Sequence, residues 1–193
     1  MSVTGITIAD AKYIQQQSNW CWAVACKIVG EQYKKIQLYT DCDLANAVLE
    51  DISQEKIVEN ANTTMPGVVD NFSGDDEAKI RGLKYVVTGK CNSDLIEVIN
   101  VGTYDMPESL WELYGVEIEK VFDRGNYIIG NAVLFPRNIC HSFVLMGTDG
   151  DRIQVFDPWD ASISMHKISD VFEYGFASAC GVGVIKWMQY ING

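Results

Sequence analysis

Apolar and polar residues alternate in two different rhythms along this chain, and the change comes near its middle. Early on, "WAVACKIV" predicts a core helix from about Trp20 to Gln32, with Ser18 or Asn19 offering the N-cap side chain. Asp43 stands where it would cap a second helix, "LANAVLEDI", and "SQEKIVENAN" reads as a third short one. The stretch "DEAKIRGLKYVV" reads as a helix with a glycine in it, or as a helix followed by a strand. In "DMPESLWELYG", Pro107 falls in a first helical turn and Gly115 acts as a stop. The first 17 residues read as extended, and "NTTMPGVVDNFSGDD" is rich enough in turn formers to be a loop.

From about residue 116 the character changes. "NYIIGNAVLF", "HSFVLMGT", "RIQVFD" and "GVGVIKWM" are rich in β-branched and aromatic residues and bounded by turns, as strands are. Helices first and strands second predict an α+β fold, a helical lobe over about 18–115 packed on an antiparallel β lobe over about 116–191. No repeat or long linker interrupts the 193 residues, so a single domain is expected.

Composition narrows the function. A hydrophobic fraction of 48% and a charged fraction of 21% fit a soluble globular protein. No apolar run approaches the roughly 18 residues of a bilayer span, so no membrane partner is expected. The start "MSVTGITIADAKYIQQQ" has neither a basic nor an apolar leader region, which predicts cytosolic synthesis or a leader already removed. With a net charge of −11 the surface repels phosphate backbones, which argues against nucleic acid and leaves a peptide or protein as the partner. The six cysteines show no C-x-x-C spacing and only two histidines accompany them, so neither a metal nor another cofactor is expected. Reduced thiols are favoured over disulfides in a chain able to build a normal core.

One thiol stands out. Cys21 lies at the start of the first helix, where partial positive charge and N–H groups favour a thiolate and can hold an oxyanion. A working thiol needs a base, and the choice is His141, which opens "HSFVLMG", or His166 in "ISMHKIS", which has no acidic partner at useful spacing. A three-residue loop Thr148-Asp149-Gly150 would pair Gly147 with Asp151 and so His141 with Asp157, on one face. A two-residue Asp149-Gly150 turn would instead put them on opposite faces. For the oxyanion, the donors are the Cys21 N–H and an amide from Gln15, Gln16 or Gln17.

Glutamine, then Cys-Trp at the head of a helix, and later a histidine and an acid, resembles the papain-like cysteine peptidases. "WCWA", "CDLA" at Cys42 to Ala45, and "CHSFVLMG…VFDPW" are most similar to the bacterial branch that holds the C39-like and AvrRpt2-type peptidases. The resemblance runs as ordered islands from about Gln15 to Trp159. It implies a two-lobe fold with Cys21 as nucleophile, His141 as base and then acid, and Asp157 orienting the histidine. It also selects Gln15 for the oxyanion hole. An aspartate stands where many relatives have asparagine, and with so few residues ahead of Gln15 zymogen control by a pro-segment is expected to be either absent or already removed. The resemblance implies peptide hydrolysis. A deamidase or transglutaminase-like acyl transferase with the same triad, and a catalytically idle interaction module, are the alternatives. Among the other residues, Trp22 is expected to pack between the lobes and Cys42 in the core. Cys26 is expected to point away from Cys21, Cys140 to face away from His141, and Trp159 to shield the His141–Asp157 pair or simply to cover surface.

Overall fold

A computed structural model describes residues 19–35, 39–59, 75–102, 108–137 and 139–193, without the side chains of 53–59. The extended N-terminal segment with Gln15, Gln16 and Gln17, the Ser18 cap, most of the "NTTMPGVVDNFSGDD" loop and Pro107 lie outside the described residues. Mixed helices and one antiparallel sheet make up the rest: α1 (Cys21–Lys34), α2 (Asp41–Glu59), α3 (Asp76–Thr88), β1 (Glu97–Gly102), α4 (Leu110–Asp123), β2 (Ile128–Phe135), β3 (Ile139–Asp149), β4 (Arg152–Asp157), β5 (Ser162–Lys167), β6 (Phe176–Ser178) and β7 (Gly181–Asn192). A π-helical turn, Asp170–Tyr174, precedes β6. The fold class is α+β, as expected. No helix among the described residues is long and apolar enough to cross a membrane.

Strand order is β1-β7-β2-β3-β4-β5, with β6 pairing β7, and every pairing is antiparallel. Alternation along the strands feeds two cores. Ile129, Val144, Phe156 and Ile191 join α1, α2 and α3 in one cluster. Ile128, Phe143, Val155 and Met188 join Leu110, Ile118 and Val121 of α4 in the other. Period-two projection thus puts helices on both faces of the sheet. The expected lobe boundary near 115–116 falls inside α4, and β1, from the helical half, joins the sheet beside β7.

α1 is buried on every side from Cys21 to Gln32, which explains why its apolar residues are not confined to one stripe, with Lys27, Glu31 and Gln32 buried among them. Its approach to α3 is set by two glycines. A Cβ on Gly30 would sit 2.6 Å from Val86 Cγ1, and one on Gly82 would sit 3.0 Å from Cys26 Sγ. Arg81 of α3 holds α2 by pairing with Asp51 and with Glu77 of its own helix.

Four helix expectations are corrected, the capping of the second helix by Asp43 among them. The N-cap of α1 is Trp20, not Ser18 or Asn19, and its side chain makes no capping hydrogen bond. The second and third helices are one, because no glycine or proline interrupts residues 41–59. Its cap is Thr40, whose Oγ1 accepts from the Asp43 N–H at 3.1 Å while Asp43 Oδ2 accepts from the Thr40 N–H at 3.1 Å, a reciprocal box. Gly115 does not stop α4; apolar residues at 110, 111, 114, 118, 121 and 122 keep helical spacing through it, and Trp111 packs over the glycine. The "DEAKIRGLKYVV" stretch is helical throughout, capped by Asp75, whose side chain accepts from the Ala78 N–H.

Candidate active site

Cys21 is the first residue of α1, and the tip of this helix meets β3 where β4 has already left it. Pairing of β3 with β4 ends at Val144↔Phe156, so residues 139–143 ladder only with β2. There the Ser142 N–H donates to Cys21 Sγ at 3.4 Å, so the sulfur takes the place of a ladder acceptor. His141 hydrogen-bonds to the same sulfur through its side chain. Its Nε2 lies 2.6 Å from Asp157 Oδ1, which leaves Nδ1 for the thiol. Asp157 Oδ1 also accepts from the Trp159 N–H at 2.9 Å, a turn that pins the carboxylate as the chain leaves β4 through Pro158. Cys21, His141 and Asp157 are all buried.

The contact between His141 and Asp157 is reached by a different register from the one expected. Asp149 pairs with Arg152, so the turn is the two-residue Gly150-Asp151, with Gly150 at φ 61°, a positive-φ glycine first as in type II′. That turn offsets the register by three residues from the expected pairing, and uncorrected this odd offset would put His141 and Asp157 on opposite faces. A bulge at Met146, between Leu145↔Val155 and Gly147↔Gln154, shifts the register back by one. Continued past Val144↔Phe156, this register sets Asp157 opposite Phe143, one step along the same face as His141. The two residues meet diagonally, with the His141 ring edge-on to Phe143 at a centroid distance of 4.6 Å.

Charge at the site is decided locally. Burial pushes the Cys21 thiol up, but the His141 hydrogen bond and charge, the Ser142 N–H and the Lys79 ammonium together bring it below the usual thiol value. Burial likewise opposes the imidazolium of His141. The hydrogen bonds to Asp157 and Cys21 and their negative charges prevail and lift it to about 9. The arrangement therefore favours a thiolate–imidazolium pair. Three other thiols differ: burial pushes Cys26 far up, and Cys91 and Cys180 up to about 12.

A cleft of about 250 Å³ opens over Cys21 and His141, with Trp22, Trp159, Asn131 and Lys79 among its walls. Trp159 is 44% exposed and bonds Asp157 through its backbone, while Trp22 is fully buried. Cys26 gives its S–H to the Lys79 carbonyl, Cys42 is half-buried against the first core, and Cys140 is exposed at the cleft. His166 sits on β5, bonded to Ser164 Oγ at 2.7 Å, outside the triad. All six cysteines are free thiols.

Two features were missed by sequence reasoning. Behind Ser142 runs a buried polar chain: Ser142 Oγ donates to Asn131 Oδ1 at 2.8 Å, and Asn131 Nδ2 donates to Gln189 Oε1 at 2.7 Å. Gln189 Nε2 donates on to Asn100 Oδ1 and Asp76 Oδ1. Its signal was present, a polar residue amid each of the apolar runs "IIGNAVLF" and "IKWMQYIN". Cys180, on the turn between β6 and β7, brings a second thiol to His141 and Asp157, and no spacing announces it. No family model matches the chain, and no curated protein is significantly similar to it.

Proposed function

We propose that this protein is a cysteine peptidase of papain-like two-lobe architecture, with Cys21 as nucleophile, His141 as general acid and base, and Asp157 as the orienting carboxylate. The observation that carries the reading is the geometry at Cys21. A helix-tip sulfur is bonded at once by a strand N–H and by an imidazole whose far nitrogen is fixed on a buried carboxylate. Such a pair is poised for acyl transfer. The thiolate attacks a carbonyl lying in the cleft, and the imidazolium protonates the departing amine. Neutral His141 then takes a proton from water, which releases the acyl group. The Cys21 N–H at the uncapped helix tip is a donor for the oxyanion. Gln15, the second donor that the family resemblance implies, lies outside the described residues.

Cys21→Ala is expected to abolish cleavage of an unstructured protein substrate, a loss of at least about 10³-fold, while the far-UV circular dichroism is unchanged. Full turnover by this variant would end the proposal. The same assay separates the acyl-transfer alternative: ammonia release with the substrate chain intact identifies a deamidase.

A further inference from the structure

His141, Asp157 and Cys180 lie far apart in sequence, yet each offers a donor atom within 4.8 Å of the others'. Asp157 is 4% exposed, and while its Oδ1 accepts two hydrogen bonds, its Oδ2 is buried with no partner. A naked carboxylate oxygen in the interior is costly, and such an atom marks a place where a cation or donor belongs. Cys180 is held in place, since Ser178 Oγ accepts from its N–H at 3.2 Å and donates to the Gly181 carbonyl at 3.2 Å. The cleft that Cys180 lines offers room for a water as a fourth ligand.

We propose that His141, Asp157 and Cys180 form a binding site for a divalent transition metal, Zn²⁺ by ligand type, whose occupancy switches the thiol site off. Nitrogen, oxygen and sulfur donors are the set that zinc takes, in a tetrahedron with bonds of about 2.0–2.3 Å. Those bonds set donor separations of roughly 3.3–3.8 Å, so on binding the donors now up to 4.8 Å apart draw together by about an ångström while His141 Nε2 and Asp157 Oδ1 part from 2.6 Å to admit the ion. The metal replaces the proton between His141 Nε2 and Asp157, and the Cys180 thiol proton leaves to solvent. With His141 held on the metal, the imidazole can no longer carry a proton between Cys21 and a leaving group. Metal binding stands independently of the peptidase reading; the inhibitory consequence rests on it.

The test uses Co²⁺ as a spectroscopic probe and Zn²⁺ in competition with a chromophoric chelator, on the full chain. One Co²⁺ with a thiolate-to-cobalt absorption band is expected in the wild type and equally in Cys21→Ala, which removes the rival thiol. Cys180→Ser, nearly isosteric and on a turn, should lose the band and bind Zn²⁺ roughly 10- to 100-fold more weakly. Stoichiometric Zn²⁺ should inhibit wild-type cleavage and spare Cys180→Ser. A band that vanishes in Cys21→Ala, a Cys180→Ser affinity equal to wild type, or no binding at stoichiometric metal each overturns the site. A Cys180-dependent band in a protein that cleaves nothing would uphold the metal site and sink the peptidase reading instead.

Discussion

Burial opposes charge on both Cys21 and His141, and at each residue named partners outweigh it. The consequence is a pH window. The proposed activity requires a thiolate, present above the lowered Cys21 value, and an imidazolium, present below the His141 value of about 9. The profile of kcat/KM should therefore be bell-shaped, with its alkaline limb near pH 9. Asp157 raises the histidine value, so Asp157→Asn removes a stabiliser of the charged ring and should move that limb down, by roughly 1–3 units. An alkaline limb that stays put in Asp157→Asn would show that the carboxylate does not set the proton affinity of His141.

Between elements, close approach matters more than propensity. α1 and α3 pack tightly enough that a methyl group on Gly30 would overlap Val86, with Cβ atoms 2.8 Å apart. Gly30→Ala is thus expected to destabilise by about 1–3 kcal/mol despite alanine's better helix propensity, read as a lowered urea midpoint. Val86→Ala in the same chain should recover part of that loss, since it removes the overlapping methyls; a purely additive double mutant would refute the packing argument. Helices α3 and α4 were legible because capping side chains and apolar spacing act within a few residues. Gly115 misled because a glycine's penalty of about 1 kcal/mol is smaller than what burying a continuous apolar face returns. The single α2 was hidden for a related reason, since the reading divided a stretch that holds no breaker.

Across the whole molecule, the site is braced by a buried amide chain. It runs from Ser142 through Asn131 and Gln189 to the start of α3 and to β1. Gln189 is fully buried, and Gln189→Leu would leave the buried Asn131 short of a partner, while Asn100 and Asp76 at the exposed end of the chain can turn to water. A loss of roughly 1–3 kcal/mol for that one stranded amide should lower the urea midpoint, and an unchanged midpoint would mean that the chain does not brace the sheet. The sequence by itself determined what acts locally. It placed a thiol at the head of an apolar helix, strands by alternation, a histidine opening one strand and an aspartate closing the next. Only the tertiary structure decided how these meet. The turn at Gly150-Asp151 offsets the register by three residues and the bulge at Met146 takes one back, leaving an even offset that keeps both residues on one face, and hydrophobic alternation does not say how a strand compensates a slip. Asn131, Gln189 and Cys180 come from distant strands and a turn, and side chains joined through space carry no period along the chain. Their partners were chosen when the sheet closed against α1, because a buried polar group must find its match wherever packing leaves one.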